Sequence, residues 1–294
     1  MREGKPSFTA AIVSLARGIG LKGEIVDPHA ETLLGGSFGA LLTLHRRALA
    51  ITPLAHEAAR WISLGFADHL ALRTFAIDRL VERGREEGIE QCVLLGAGLD
   101  ARAYRLEALR GATIFEVDHP STQARKLERA RSLPEPLGDL KYITVDFEEG
   151  DLVRALIDGG FDPSARCIIV WEGVTMYLPI EAIRASLGAI SELSSEGSLF
   201  TLSYSIPNPA GSALGDYLRD LLFQLIEEPM RSYFSPSELA SLLREYDFEV
   251  FRDGNSRNFA LDAGLDDPLG AIFRGERVAM ARKLSTPQDL RDHQ

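Results

Sequence analysis

The sequence predicts an α/β fold: a mostly parallel sheet of seven strands, covered by helices on both faces and finished by an antiparallel last strand. Three observations carry this. Residues 93–106 read VLLGAGLDARAYRL, an apolar strand running into Gly96-Ala97-Gly98 and then a helical segment. Two glycines there let the backbone turn tightly and leave no side chain between it and a ligand. From Gln91 onward, short apolar runs alternate with amphipathic stretches, the rhythm of βα units with right-handed crossovers. The final two apolar runs, 248–252 and 278–282, look like a closing hairpin that places an antiparallel strand at the end of the sheet.

Taken in order, residues 1–85 show helical spacing at 41–49, 55–64 and 75–83 with no convincing strand, and read as a helical N-terminal cap. Strands are expected at 92–95, 114–117, 142–145, 168–171 and 199–204, with helices at 101–109, 122–131, 151–158 and 180–193 between them. The rhythm then breaks. Residues 205–235 form an excursion that opens with Pro207 and Pro209 and carries a helical run at 214–226. A helix at 236–246 leads to the two closing strands, so the core spans 86–283, with a cap insertion at about 205–235. The polar stretch 284–294 reads as a loose tail.

The 294 residues suit one large domain with helical elaborations. A formal net charge of −11 argues against nucleic acid or an anionic membrane as partner. Cys92 and Cys167 fall in expected interior strands; they give neither a disulfide framework nor a metal-ligand spacing and read as small buried hydrophobes. No stretch has the length and apolarity of a membrane span or a secretory leader, so a cytoplasmic protein is expected.

Ligands of open α/β sheets collect at the carboxyl ends of the strands. There the sequence places Gly96, Gly98 and Asp100, then Glu116, Asp118 and His119, then Asp146 and Phe147, then Glu172 and Tyr177, then Tyr204 and Ser205. Gly96-x-Gly98-x-x-Ala101 with Asp118 beyond it also fits a dinucleotide fingerprint. Asp100 argues against that reading. A pyrophosphate would sit on the helix start, and a carboxylate there satisfies the positive end and repels phosphate. S-adenosylmethionine has no phosphate and carries a sulfonium and an ammonium, so acids at successive strand ends suit it better. Asp118 can accept from two ribose hydroxyls and Asp146 from the adenine amine, with Phe147 as an apolar wall. Glu172 stands where the methionine ammonium or the methyl acceptor belongs. Arg73, just before the first strand, can pair with the donor's carboxylate. Arg102 and Arg105 follow the turn at helical spacing, as exposed residues would. Candidates for a base are His119 and Tyr204, neither with an evident partner, and His119 reads better as a structural residue of its turn. An acceptor pocket is expected between Tyr204 and Phe234, with Tyr217, Leu221, Leu222, Phe223, Met230 and Tyr233 as an apolar wall.

These motifs resemble the leucine carboxyl methyltransferase-like family of S-adenosylmethionine-dependent O-methyltransferases, which includes bacterial polyketide O-methyltransferases. The resemblance rests on R-T-x-x-I-D at 73–78, VLLGAGLDARAYRL, EVDHPSTQARK at 116–126, Val145-Asp146-Phe147 and WEGVTMYL at 171–178, and more loosely on Asp27-Pro28. It implies a Rossmann-like class I methyltransferase fold with S-adenosyl-L-methionine as cofactor. Arg73 would hold the methionine carboxylate, Gly96 and Gly98 the turn beneath the donor, Asp118 the ribose, Asp146 and Phe147 the adenine. Glu172 would face the amino end, and Arg17 is the nearest match to a basic N-terminal residue that reaches the donor. The implied activity is O-methylation of a carboxylate or hydroxyl on a small, hydrophobic or aromatic metabolite. A protein C-terminus is the alternative acceptor, and an NAD-dependent oxidoreductase the remaining reading.

Overall fold

In the computed structural model, residues 8–21, 27–52, 54–63, 65–147, 150–207, 230–265 and 275–285 are described. Seven strands form one sheet: β1 (Gln91–Leu95), β2 (Thr113–Asp118), β3 (Asp139–Thr144), β4 (Cys167–Trp171), β5 (Leu199–Ser205), β6 (Phe248–Gly254) and β7 (Glu276–Lys283). Their order is β3-β2-β1-β4-β5-β7-β6. β1 to β5 pair in parallel, whereas β7 runs antiparallel to both β5 and β6. The last strand is antiparallel, as the sequence suggests, but it does not end the sheet. It inserts between β5 and β6, and β6 takes the edge.

Side chains of successive strand residues point to opposite faces, and each face has its own helices. Val93, Leu95, Phe115, Val117, Ile169 and Trp171 pack with α8 (Leu152–Asp158), α9 (Ile180–Glu192) and α10 (Pro236–Arg244). Cys92, Leu94, Ile114, Ile168 and Val170 pack with α5 (Phe66–Glu86) and α11 (Ser256–Asp262). β1, β4 and β5 are buried along their whole length, as strands covered on both faces must be. Both cysteines lie fully inside.

The N-terminal helices α1 (Phe8–Ile19), α2 (Ala30–Leu34), α3 (Gly36–Ile51) and α4 (Leu54–Ile62) precede α5, which belongs to the core layer as much as to a cap. Two elements depart from expectation. The helix expected over 101–109 is a single turn, α6 (Arg102–Arg105), followed by a 3₁₀ turn at Glu107–Leu109. Leu106 breaks it with extended dihedrals (φ −87°, ψ 101°), which lets Leu106 and Leu109 both reach the second core. α11 was not expected; Asn255 starts it with a reciprocal capping box to Asn258. The acceptor-wall residues Tyr217, Leu221, Leu222 and Phe223, and the tail beyond residue 285, lie outside the described residues. α7 (Pro120–Ala130) follows β2, opened by His119 as N-cap and Pro120 as first residue.

Candidate donor site

Strand order reverses between β1 and β4, the switch point at which open sheets bind ligands. Leu95 pairs with Val117 on one side and Trp171 on the other. The residues one step further along are Gly96, Asp118 and Glu172, so the sheet register alone sets these three side by side.

Gly96 and Gly98 both have positive φ (65° and 51°). A Cβ on Gly96 would lie 2.4 Å from Val174 Cγ2, and one on Gly98 would lie 3.3 Å from Ala10 Cβ on α1. The turn is thus roofed by the N-terminal helix, and glycine is needed for conformation and for space. Gly96→Ala is expected to cost about 1–3 kcal/mol from backbone strain and crowding; a urea midpoint equal to that of the unsubstituted protein would refute this account of the turn. Asp118 clamps the turn: one carboxylate oxygen accepts from Gly98 N–H and the other from His119 N–H at 2.7 Å. Burial pushes its pKa up, against the pull of those two N–H groups. Each oxygen keeps a further lone pair, which suits a pair of vicinal hydroxyls.

Beside the turn is a buried cluster of ions. Glu172 accepts from Arg73 Nε at 3.0 Å, pairs with Arg17 Nη2 at 2.9 Å, and accepts from Arg102 Nη1 at 2.7 Å. Arg102 also binds Asp100, and donates through Nε to Asp78 at 2.6 Å. Arg73 Nη1 donates to Glu276 at 2.5 Å, and His69 Nε2 lies 2.8 Å from the same carboxylate. His69 Nδ1 in turn meets Ser256 Oγ of α11. Arg17, Arg73 and Arg102, together with Arg105, which shares Asp78 with Arg102, are balanced four to four by Asp78, Asp100, Glu172 and Glu276. Such a set, neutral as a whole and carrying both signs, matches the zwitterionic end of an amino acid.

Arg102 is fully buried, and Arg105 is nearly so, paired with Asp78 at 2.7 Å. The expectation that both are exposed is corrected. Helical spacing in a four-residue helix says little about which side meets water. Asp100 Oδ1 accepts from Arg102 N–H at 2.8 Å, so a carboxylate occupies the helix start where a dinucleotide would need its phosphate. Lys126 Nζ reaches the Asp100 carbonyl at 2.6 Å and Glu116 at 2.5 Å, bracing the loop from below.

Burial alone would raise the pKa of Asp100, Glu172 and Glu276, but the arginines reverse it. Arg102, Arg17 and Arg73 hold Glu172 well below the usual carboxylate range. Asp100, beside Arg102 and Arg17, is lowered to about 2, and so is Glu276, beside Arg73 and His69. Acids depressed in the folded state contribute stability that is fully present above their unfolded pKa of about 4 and is lost as pH falls through the folded value. Glu116, pushed up to about 7 by burial, works the other way and adds stability as pH falls from 7 to 5, so the urea midpoint is expected to rise slightly over that range and to drop between pH 4 and 2. A midpoint flat down to pH 3 would mean that the cluster is not ionised as described.

Asp146 lies two residues beyond β3, about half exposed, with His119 Nε2 at 3.7 Å. Phe147 leans on the first core, its ring 6.5 Å from that of Trp171. Both stand at the edge of the turn, on the Asp118 side. His119 is an N-cap, its Nδ1 accepting from Ser121 N–H. Tyr204 is buried and donates to Asp253 at 2.6 Å, and burial together with that carboxylate pushes its pKa far up. As a candidate base Tyr204 is withdrawn: a phenol so placed keeps its proton and has no open side. Phe234 N–H donates to Ser205 O at 2.9 Å, which places Tyr233 and Phe234 at the same sheet edge.

Sequence reading missed Glu276 and His69. Glu276 pairs with Ser205 at the ligand edge because β7 inserts beside β5; no local pattern marks it. His69 sits one turn before Arg73 on α5, a spacing that could have flagged it.

A sequence model of the family "Leucine carboxyl methyltransferase" matches residues 10–191. A Mycobacterium marinum protein carrying the name of an S-adenosyl-L-methionine-dependent methyltransferase is 34% identical over 205 residues, 68% of this chain and 66% of its own length. A Mycolicibacterium gilvum protein with the same name is 34% identical over 219 residues, 72% of this chain and 70% of its own. The matched stretches thus span about two thirds of these relatives. Among solved structures, a duf574 family protein from Streptomyces avermitilis superimposes with TM-score 0.60 at 15% identity, covering 96% of this chain and 99% of that one. A protein from Thermobifida fusca, described as a methyltransferase, gives TM-score 0.58 at 16% identity over 96% and 97%. These two speak for the fold alone. With the family's own region covering the glycine turn, Asp118, Arg17, Arg73 and Glu172, the chain belongs to the leucine carboxyl methyltransferase family.

Proposed function

We propose that this chain is an S-adenosyl-L-methionine-dependent O-methyltransferase acting on a carboxylate or hydroxyl of a small hydrophobic or aromatic metabolite. The observation that carries the donor is the register row Gly96, Asp118 and Glu172 beside a balanced arginine–carboxylate cluster. When bound, S-adenosyl-L-methionine supplies an electrophilic methyl group on sulfonium. The chain's residues bind and orient: Asp118 takes the ribose hydroxyls, Asp146 and Phe147 the adenine, Arg17 and Arg73 the carboxylate, and Glu172 the ammonium. Positioning of this kind can supply roughly 7–11 kcal/mol of barrier reduction in favourable cases.

A carboxylate acceptor fits these residues best. It is ionised at neutral pH and needs no base, whereas His119 is committed to its N-cap and Tyr204 to Asp253. Met230, Tyr233 and Phe234 remain the described part of the acceptor wall.

Two measurements test this. Thermal shift with S-adenosyl-L-methionine, S-adenosylhomocysteine and NAD(H) is expected to show stabilisation by the first two alone, about 2.7 kcal/mol at a hundredfold excess over Kd. Methyl-labelled donor is then offered to small carboxylic acids, phenols and peptides with free C-termini. A base-labile ester on a small acid supports the proposal in full. A base-stable ether moves the acceptor to a hydroxyl, ester on peptides alone replaces the metabolite with a protein C-terminus, and stabilisation by NAD(H) alone overturns the donor.

A further inference from the structure

α4 is an amphipathic helix worn inside out. Its polar residues His56 and Arg60 are buried, Arg60 gripping Asp68 at 2.8 Å and Glu57 at 2.9 Å. Its apolar residues face water: Leu54 is 74% exposed, Trp61 63% and Ile62 84%. With Ala58, also exposed, they follow the i, i+4, i+7, i+8 spacing that marks the buried stripe of a helix. α3, which buries Gly39 and Leu42, also exposes large apolar residues: Leu41 at 52%, Leu44 at 65% and Ile51 at 86%. The helices turn against each other at His45 and His56, whose ring centroids are 6.2 Å apart. Ile51 ends α3 and Leu54 opens α4, so the two stripes adjoin along the chain.

Scattered exposed leucines need no explanation, but six large apolar side chains on two consecutive helices do. At about 60–120 Å² per aliphatic side chain and roughly 150–250 Å² for the tryptophan, the exposed fractions amount to on the order of 500 Å². This is at the upper end of the ~300–600 Å² of the largest apolar patch on an ordinary monomer, a size that is often functional, and it is close to the roughly 65% apolar share of the ~800 Å² that each partner contributes to a stable interface.

We propose that this α3–α4 face is the two-fold interface of a homodimer. A second copy brings an identical apolar surface, which is what an isologous contact requires. Exposed charges of both signs stand on the two helices, Arg47 on α3 and Glu57 on α4; Glu57 meets Arg60 from within and remains about half exposed, so two copies related by a two-fold can set unlike charges opposite each other. A lipid surface fits less well. Interfacial helices turn basic residues to water beside their apolar face, whereas Arg60 is folded inward, and a net charge of −11 opposes an anionic leaflet. Trp61, near the C-terminal end of α4 and surrounded by Leu54 and Ile62 along its own helix, is the side chain type that anchors such interfaces.

The test is sedimentation velocity of the full chain from about 1 to 100 µM, concentrations that populate a dimer of micromolar or tighter Kd. The expected result is a species of twice the 32.3 kDa chain mass. Ile62→Glu is expected to weaken self-association at least a hundredfold while keeping donor-induced thermal stabilisation. A readout that needs no variant is emission. The chain has two tryptophans, and Trp171 is buried in the core. Dilution should therefore red-shift emission through Trp61 alone as the dimer parts. A chain monomeric throughout, with emission independent of concentration, overturns the proposal. So does a dimer untouched by Ile62→Glu with unshifted emission, and so does a monomer that floats with phosphatidylcholine vesicles, which would make the face a lipid contact instead.

Discussion

Replacing Glu172 by alanine is expected to abolish measurable donor binding and to cost about 3–5 kcal/mol of folding stability, the usual result of removing one partner from a buried ion cluster. Its two carboxylate oxygens serve Arg17, Arg73 and Arg102, and all four side chains are buried. Without it, among the described residues, Arg17 keeps Asp100, 3.9 Å away, and its hydrogen bond to Thr74 at 3.2 Å, and Arg73 keeps Glu276. At about 2–4 °C per kcal/mol for a chain of this size, the melting temperature should fall by roughly 10 °C. Calorimetric melting and donor titration check both parts. A variant that melts with the unsubstituted protein would show the three arginines to be solvated rather than clustered. Glu172→Asp, which keeps the charge on a shorter arm, should recover most of the stability and little of the binding, because only the charge balance survives.

Asp118→Ala is expected to do the reverse: donor affinity falls by more than tenfold and the fold survives. The carboxylate can offer its remaining lone pairs to two hydroxyls, and charge-assisted hydrogen bonds contribute about 1.5–3 kcal/mol each. Its removal frees Gly98 and His119 N–H groups, but it also removes a buried acid whose charged form is disfavoured. These opposing effects should leave stability within about 2 kcal/mol. Isothermal titration with S-adenosylhomocysteine on the purified variant reads the affinity. Unchanged affinity would remove Asp118 from the ribose site. Asp118→Asn, which keeps an acceptor and the shape, should fall between the two.

The parallel half of the fold was legible because each of its signals is local. Apolar runs at β1, β2, β4 and β5 and the glycine turn define themselves within a few residues, and the strand ends then line up by register. Arg17, Arg73, Gly96, Gly98, Asp118 and Glu172 are brought together as the motifs suggest. What the motifs could not say is how each charge is neutralised. Arg102 reads as a surface residue until Asp78, Asp100 and Glu172 are seen around it. Glu276 could not be found because its place depends on which gap β7 enters, a choice made by the whole sheet. Tyr204 failed as a candidate for a related reason: its partner Asp253 arrives on β6, 49 positions later.

The insertion of β7 also bears on how the chain is made. Among the described residues β6 has no sheet neighbour other than β7, so during synthesis it emerges ahead of its partner. Until β7 follows, β5 keeps an open edge and Arg73 lacks a carboxylate partner 203 positions away. Unpaired strand edges of this kind are where nascent chains aggregate. β7, which leaves the ribosome after every other described strand, thus seals the sheet and completes the donor site in the same step, and a chain cut short of Glu276 forfeits both.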